Sequence, residues 1–460
     1  MRNHLVLPVA ALFLSACSLT PDYNRPDIAA PATWSQQQDQ PGAADIAYDW
    51  WTSFGSEELD GLMQAALANN TDLLAGIQRI EQARASLKIA GATLLPRVDV
   101  SGGGNRSYTD FADGGSDQAT SLNAGLGIAY ELDLFGANQA RVEAAQAQYE
   151  ATTFNEDALS LLVMGDVATG YFTLLNLRER LAIADDNLQI ARELQEIVQT
   201  RLDLGSESML ALAQQRVAVA NSEAARAALI QQIASAENAL AVLLGKPPGA
   251  VTVEAENLSG TTVPGIAPGQ PSFLLERRPD IRAAEATLIA ANADIGAARA
   301  AFFPSISLGG TGSLASTGFG DPVTSVIALA ASIAAPIFSG GANEGGLESA
   351  TARQLELAQA YRGTVLTGFQ EVEDALTAVR SAQDREAAYQ VAMEQSREAY
   401  DLSTLQYDAG LIDFQTLLDT QSSRLSAEDS YAQSRLALLL AAIDLYKALG
   451  GGWEQPSAVK

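Results

Sequence analysis

Few side chains in this sequence could do covalent chemistry. Its 460 residues hold one histidine, His4, and one cysteine, Cys17, both near the N-terminus. The body of the chain therefore has no Ser-His-Asp triad, no histidine general base and no His/Cys zinc, iron–sulfur or copper site. What remains is carboxylate. Asp and Glu number 55 against 28 Lys and Arg, a formal net charge of −27. Acid–base hydrolysis by paired carboxylates would need two of them to converge in a pocket, whereas here most lie along long helical stretches. The same acidity argues against binding nucleic acid through its phosphates. Gly245-Lys246 is followed by Pro247, without the earlier glycine of a phosphate loop. The sequence shows no metal-ligand spacing and implies no cofactor. Hydrophobic residues reach 47% but aromatics only 6%. That balance suits closely packed, alanine-rich helices.

Cys17 offers a different chemistry. Arg2 is followed by an apolar run from Leu5 to Leu14, broken only by Pro8, and then by Leu14-Ser15-Ala16-Cys17. The run is too short to span a bilayer, so residues 1–16 read as a signal peptide. Leu-Ser-Ala-Cys resembles the bacterial lipobox. That resemblance implies cleavage before Cys17 and lipidation of Cys17, palmitate included, which anchors a chain without spanning the membrane. Ser18, a non-Asp residue, by the same resemblance favours the outer membrane. An ordinary signal with an incidental cysteine is the alternative. No later segment has 18 or more consecutive apolar residues, so any later crossing is expected to use β-strands.

The elements that must position the rest come as an internal repeat. A shift of 208 residues lays 70–104 on 278–312: Asp72 falls on Asp280, Ile80 on Leu288, Pro96 on Pro304 and Gly102 on Gly310. A shift of 205 lays Arg201–Gly205 on Gln406–Gly410, and Leu244-Gly245 on Leu449-Gly450. The expected organisation is an N-terminal segment 17–55, a first repeat 56–246, a Pro/Gly-rich connector 247–271, a second repeat 272–450 and a tail 451–460.

Each half reads as helix, two strands, very long helix, turn, helix. One helix is expected from Glu57 to Leu94, stopping before Pro96. Val98, Val100, then Leu122, Ala124, Leu126, Ile128 alternate as strands do, and Ile306, Leu308 and Val323–Ile333 repeat the pattern. Thr109–Thr120 and Gly310–Pro322 read as their turns. From Ala137 to Asp203 there is no proline. Val167, Leu174, Leu181, Leu188 and Leu202 share one heptad position, with Gln195 the exception, and Gly170, Leu177, Ala184, Ala191 and Val198 fill the complementary one. Gly205 and Gly410 punctuate two tight helix–helix turns. Return helices run to Leu244 and Leu449.

In this order the chain resembles the TolC-like outer membrane efflux proteins, in their lipidated branch that serves RND-type pumps. The residues that carry the resemblance are Cys17; Pro21-Asp-Tyr-Asn-Arg-Pro26; Trp50-Trp51 with Phe54; Ala66-Leu67 with Asn70, Asp72 and Leu73; Leu95-Pro96; Arg278-Pro279-Asp280-Ile281 with Ala284-Glu285; Phe303-Pro304; and Tyr407 with Gly410, Leu417-Leu418-Asp419 and Gln421. The fold class it implies is an α+β membrane protein. Four strands per subunit of a homotrimer would build one 12-stranded transmembrane β-barrel, continued by a long periplasmic α-helical coiled-coil barrel. Its partners would be a periplasmic adaptor protein, an inner membrane RND pump and outer membrane lipid, with no nucleic acid. The chain would be a passive exit duct for small toxic compounds and no enzyme.

The resemblance also assigns site residues. Asp419 matches the aspartate that lines the constricted periplasmic entrance, and three copies would form a carboxylate ring. Gln214 holds the equivalent place in the first repeat, so one such ring is expected. Asp413 and Thr416, between Asp419 and Gly410, are further candidates for the periplasmic gate. Tyr407 matches the tyrosine–arginine links that close the family's tip, with Arg201 and Arg424 as arginines nearby. Core packing or surface charge would explain these three equally well. Leu204, Gly205, Ser206, Gly410 and Leu411 belong to the helix tips that would receive the adaptor, and turn chemistry alone would also explain them. Arg278-Pro279-Asp280-Ile281 reads as structural, with Asp280 serving free N–H groups at a helix start. Trp50, Trp51 and Phe54 are expected to pack against the helices. Type I protein secretion and a non-channel structural lipoprotein are the other readings of the same pattern.

Overall fold

The computed structural model describes residues 18–35 and 46–451. The expected signal 1–16, Cys17 and all but the first residue of the tail 451–460 lie outside the described residues. The chain forms two compact units. One comprises residues up to Asp27, Arg79–Thr153 and Ala283–Gly363; the other comprises Ile28–Gln78, Phe154–Arg282 and the chain from Thr364 onward. Each unit draws on both repeats.

The elements are α1 (Glu57–Asn69), α2 (Thr71–Ala92), β1 (Arg97–Asp110), β2 (Ser116–Leu132), α3 (Ala137–Asp203) and α4 (Met209–Leu243) in the first repeat. The second has α5 (Pro279–Ala300), β3 (Ser305–Ser316), β4 (Thr324–Ala334), α6 (Ala342–Asp408) and α7 (Phe414–Ala448). α3 and α6 are both 67 residues long, and α4 and α7 are both 35. Their starts and ends keep the 205-residue shift, while α2 and α5 keep the 208-residue shift. The difference is absorbed in the strands and their turns.

The first unit carries one antiparallel sheet in the order β1-β2-β3-β4. Its register puts Val98 opposite Ile128, Ile128 opposite Gly310 and Gly310 opposite Leu329. Residues paired across strands share a face. One face therefore collects Val98, Val100, Leu122, Leu126, Ile128, Ile306, Leu308, Ile327, Leu329 and Ile333, and the other collects Asp99, Ser101, Asn123, Gly125, Ser307, Thr311, Ser313 and Ser332. Among the described residues nothing covers the apolar face: Ile327 and Leu329 are 86% and 88% exposed. The expected turns were too long. β1 and β2 pair without a break from Arg97–Ala129 to Asp110–Ser116, and β3 runs on to Ser316. Polar residues that break the apolar alternation still pair, because a hairpin ladder needs only backbone groups.

The expected single helix from Glu57 to Leu94 is two helices. Asn70 breaks it, leaving helical geometry at ψ 128°. Its carbonyl Oδ1 accepts from the N–H groups of Asp72 and Leu73, which caps α2.

The second unit has its main core where a short 3₁₀ turn, Trp50–Phe54, meets the helices. Trp50, Trp51 and Phe54 are buried among Leu59, Met63, Val167, Phe172, Leu175, Leu240 and Ile443. Trp50 stacks on Tyr446, ring centroids 4.9 Å apart. One stretch of α3 is apolar enough to cross a membrane by composition alone, but Val163, Met164, Val167, Ala168, Tyr171 and Phe172 within it are buried in this core. The heptad positions of α3 also face inward: Val167, Leu174, Leu177, Leu188, Ala191 and Val198 are all buried.

Each return helix ends on a glycine in the left-handed region, Gly245 at φ 65° and Gly450 at φ 73°. A Cβ on Gly245 would lie 2.1 Å from the Asn69 carbonyl oxygen, and one on Gly450 would lie 2.9 Å from that of Arg277. Gly205, at φ 74°, has open space around it. Gly205→Ala is expected to cost about 1–2 kcal/mol from backbone strain alone. Gly245→Ala should cost clearly more, because a carbonyl must also move. Thermal midpoints of the two variants check this; equal losses would refute the close-approach account.

Candidate functional site

Both hairpin tips are built by the same backbone hydrogen bonds. Gly205 N–H bonds to Leu202 O and Ser206 N–H to Arg201 O, at 2.9 and 2.8 Å. Gly410 N–H bonds to Tyr407 O and Leu411 N–H to Gln406 O, at 3.0 and 2.8 Å. Each pair satisfies the last carbonyls of a 67-residue helix. Both glycines have positive φ, 74° and 71°. The side chains left outside are apolar: Leu204 and Leu411 are 79% and 75% exposed, and Met209 and Leu210 beside them are also exposed. Sequence reasoning passed over those last two.

The return helices start on polar caps. Ser208 accepts from Ala211 N–H, and Asp413 accepts from the Thr416 N–H and hydroxyl at 2.9 and 2.6 Å. The two Thr416 donors hold the Asp413 carboxyl below the usual carboxylate range. Asp413 and Thr416 are thus partners in one N-cap. Asp419 is exposed and accepts from the Gln415 amide at 2.8 Å. Gln415 in turn accepts from Gln214 at 3.1 Å. Asp419 and Gln214, equivalent in the repeat, line one groove of about 460 Å³ between α4 and α7, with Asn187, Asn221 and Gln421.

Tyr407 is buried at the same end, its ring edge-on to Phe414. Its hydroxyl donates to Glu207 at 3.1 Å, and the Arg201 guanidinium lies 4.2 Å from its ring centre. Burial first, and then the bond to Glu207, push the phenol pKa up against the pull of Arg201. It therefore stays a neutral donor at physiological pH. Arg201 also pairs with Asp408 at 3.2 Å. Tyr407 and Arg201 are thus direct partners across the two hairpins. Arg424 is placed elsewhere: it faces Tyr400 and bonds Glu428 and Asp186. Glu207, Asp408 and Asp186 were not singled out by sequence reasoning, because their partners lie on the other repeat. Spacing along one helix carries no signal for such pairs.

The most recognisable motif lies at the far end of the return helices. Arg278 donates to Asp280 through Nε and Nη2, at 3.0 and 2.8 Å, and to Glu371 and the Ala448 carbonyl through Nη1, at 2.6 and 3.0 Å. Pro279 opens α5. Asp280 takes the guanidinium fork. The groove here, about 580 Å³, is also lined by Asp374, Asp444 and Lys447. Asp280 and Glu371 are both engaged by Arg278, which is an ion-pair arrangement and no acid–base pair. Among the described residues no group of three or more His, Cys, Asp or Glu is arranged to hold a metal ion.

In the first unit the N-terminal segment lies along α5. Arg25 forms a two-bond pair with Glu285 at 2.7 and 2.8 Å, Asn292 donates to Pro21 O, and Arg299 donates to Leu19 O. Thr20 packs so close to Gly296 that any Cβ there would clash. Two of the motifs noted separately in the sequence, Pro21–Pro26 and Ala284-Glu285, are thus each other's partners.

Comparison with known proteins gives one answer. The family described as outer membrane efflux protein matches residues 62–246 and 271–451. The chain is similar to the pyoverdine export outer membrane protein OpmQ of Pseudomonas aeruginosa, 38% identical over 99% of this chain and 98% of that protein. It is similar to the cation efflux system protein CusC of Escherichia coli, 34% identical over 97% of this chain and 98% of that one. The open-state structure of the Neisseria gonorrhoeae MtrE outer membrane channel superimposes with a TM-score of 0.83 at 32% identity, over 95% of this chain and 98% of that one. With its duplicated helices, four-stranded sheet and family match over both repeats, the chain belongs to the outer membrane efflux proteins, which are channels and not enzymes.

Proposed function

We propose that this chain is the outer membrane duct of a tripartite RND-type efflux system, passing small toxic compounds from periplasm to exterior. The observation that carries the proposal is the sheet. It has one bare apolar face and two unpaired edges, β1 and β4. In a bilayer each unpaired edge leaves backbone groups without partners. A homotrimer joining β4 of one copy to β1 of the next removes all edges and gives a barrel of 12 strands. The exposed leucines at Leu204 and Leu411 suit an apolar contact with a periplasmic adaptor at the tips, which include Gly205, Ser206 and Gly410. An inner membrane pump then supplies the energy. Similarity to a pyoverdine export protein favours a second cargo, a compound of the pyoverdine kind.

The resting tip is held by Tyr407, through Arg201 and Glu207, and lined by Asp419. Three Asp419 carboxylates around one axis repel one another. They favour cations in the entrance and add nothing to its closure. The Asp413–Thr416 cap keeps the start of α7 rigid beneath them.

Lipidation of Cys17 fits the packing of the segment that follows it. Leu19 is held at Arg299, near the end of α5 and shortly before β3 begins. Acyl chains on Cys17 would enter the membrane close to the base of the strands.

Single-channel recording in planar bilayers tests the duct. Wild type is expected to conduct with cation preference, and Asp419→Ala to lose much of that preference. The difference should be large near 0.01 M salt, where the Debye length is about 30 Å, and small near 1 M, where it is about 3 Å. No current from assembled trimers would favour the structural-lipoprotein reading. In cells, Cys17→Ser is expected to abolish incorporation of labelled palmitate; continued incorporation would refute the anchor.

A further inference from the structure

The two repeats are closed by equivalent contacts that differ in one respect. The Asn70 amide donates to Leu243 O at 2.8 Å, and Arg278 donates to Ala448 O at 3.0 Å. Asn70 and Arg278 are related by the 208-residue shift, Leu243 and Ala448 by the 205-residue shift. In both repeats the residue before a helix therefore ties down the end of the return helix. Asn70 spends its remaining bonds on capping α2. Arg278 reaches further, to Glu371 of α6. The counterpart of Glu371 is Asp166, for which the neutral Asn70 offers no charge.

We propose that the Arg278 guanidinium, tied to Glu371 and Ala448, is the pivot about which the second hairpin swings when the tip opens. The proposal rests on the duct reading above. One planar, largely buried side chain holds both legs of the hairpin, α6 through Glu371 and α7 through its last carbonyl. Sliding α6 along α7 at this level would break one of those bonds. Rotation about the guanidinium keeps both. From Glu371 to Asp408 the leg is about 55 Å long at 1.5 Å per residue, so a rotation of about 5° moves the tip by about 5 Å. A small change at the pivot thus becomes a pore-sized change at Asp419 and Tyr407, with the hairpin moving as one arm. In the first repeat Asn70 ties the return leg alone, while α3 is held by core packing and by the Tyr171 hydroxyl on Ser56 and Glu58, so Asn70 sets no such path.

The test is single-channel recording of Glu371→Gln and Asn70→Ala beside wild type, with Tyr407→Phe as the variant that loosens the tip itself. Glu371→Gln keeps the size of the side chain and removes the charge that holds α6. It is expected to replace one main open level with several sublevels, spread at least about threefold in conductance, in trimers that still resist SDS. Asn70→Ala is expected to lower the melting temperature while keeping a single level. Identical level distributions for Glu371→Gln and wild type would overturn the pivot and leave the duct intact. Sublevels in Asn70→Ala as wide as those in Glu371→Gln would also overturn it, because loosening any closure would then suffice. Silence from every protein, Tyr407→Phe included, would overturn the duct reading and the pivot with it. Should Glu371→Gln fail to assemble, Glu371→Asp, which keeps the charge but withdraws it by one methylene, takes its place with the same outcomes.

Discussion

The architecture depends on a backbone carbonyl pressed against a glycine. A return helix of 35 residues must come back to the point where its repeat began and stop there. At Gly245 and Gly450 the left-handed turn ends the helix, and the missing Cβ lets the carbonyls of Asn69 and Arg277 sit where a methyl group would be. Asn70 and Arg278, the next residues, then satisfy a terminal carbonyl that would otherwise be buried without a partner. Each hairpin is anchored at this seam, and everything beyond it, out to the tip, is a cantilever of coiled coil.

Much of this was legible in the sequence, for physical reasons. A proline-free run with small and large residues alternating at heptad positions has few options besides a long packed helix, and α3 took the expected bounds, Ala137–Asp203, while the repeat plan called for a second long helix, found as α6. Gly205 and Gly410 were legible because a helix end that needs positive φ advertises it. The strand ends were not. Pairing between Ser107 and Ala119 needs only N–H and C=O groups, so polar composition there said "turn" while the ladder continued. Asn70 was missed although Asn69-Asn70-Thr71-Asp72 is a run of weak helix formers: the apolar pattern continues on both sides, and the second partner that holds the break, Leu243, is distant in sequence.

The candidate site was legible in part. Tyr407 was found by its resemblance, yet its partners Glu207 and Arg201 come from the other repeat. Side-chain pairs between elements some 200 residues apart leave no periodic trace. Asp413 illustrates the reverse case. Its position near a tip suggested a part in the entrance, and its hydrogen bonds give it a helix start to hold. The most conspicuous motif, Arg278-Pro279-Asp280, turned out to join three helices, which no local pattern could announce.

The equal lengths of the paired helices carry a consequence for how such a chain can vary. Inserting one residue into α6 would push its tip out by about 1.5 Å and turn every later side chain by about 100°. The buried positions of the coiled coil would rotate away from their neighbours, and the two tips would no longer end level. A residue added to the loop between β1 and β2 displaces nothing but solvent. Length drift between the halves should therefore collect in the strands and their loops, where the 208-residue shift already becomes 205, and the helices should tolerate exchange of residues but not a change in their number.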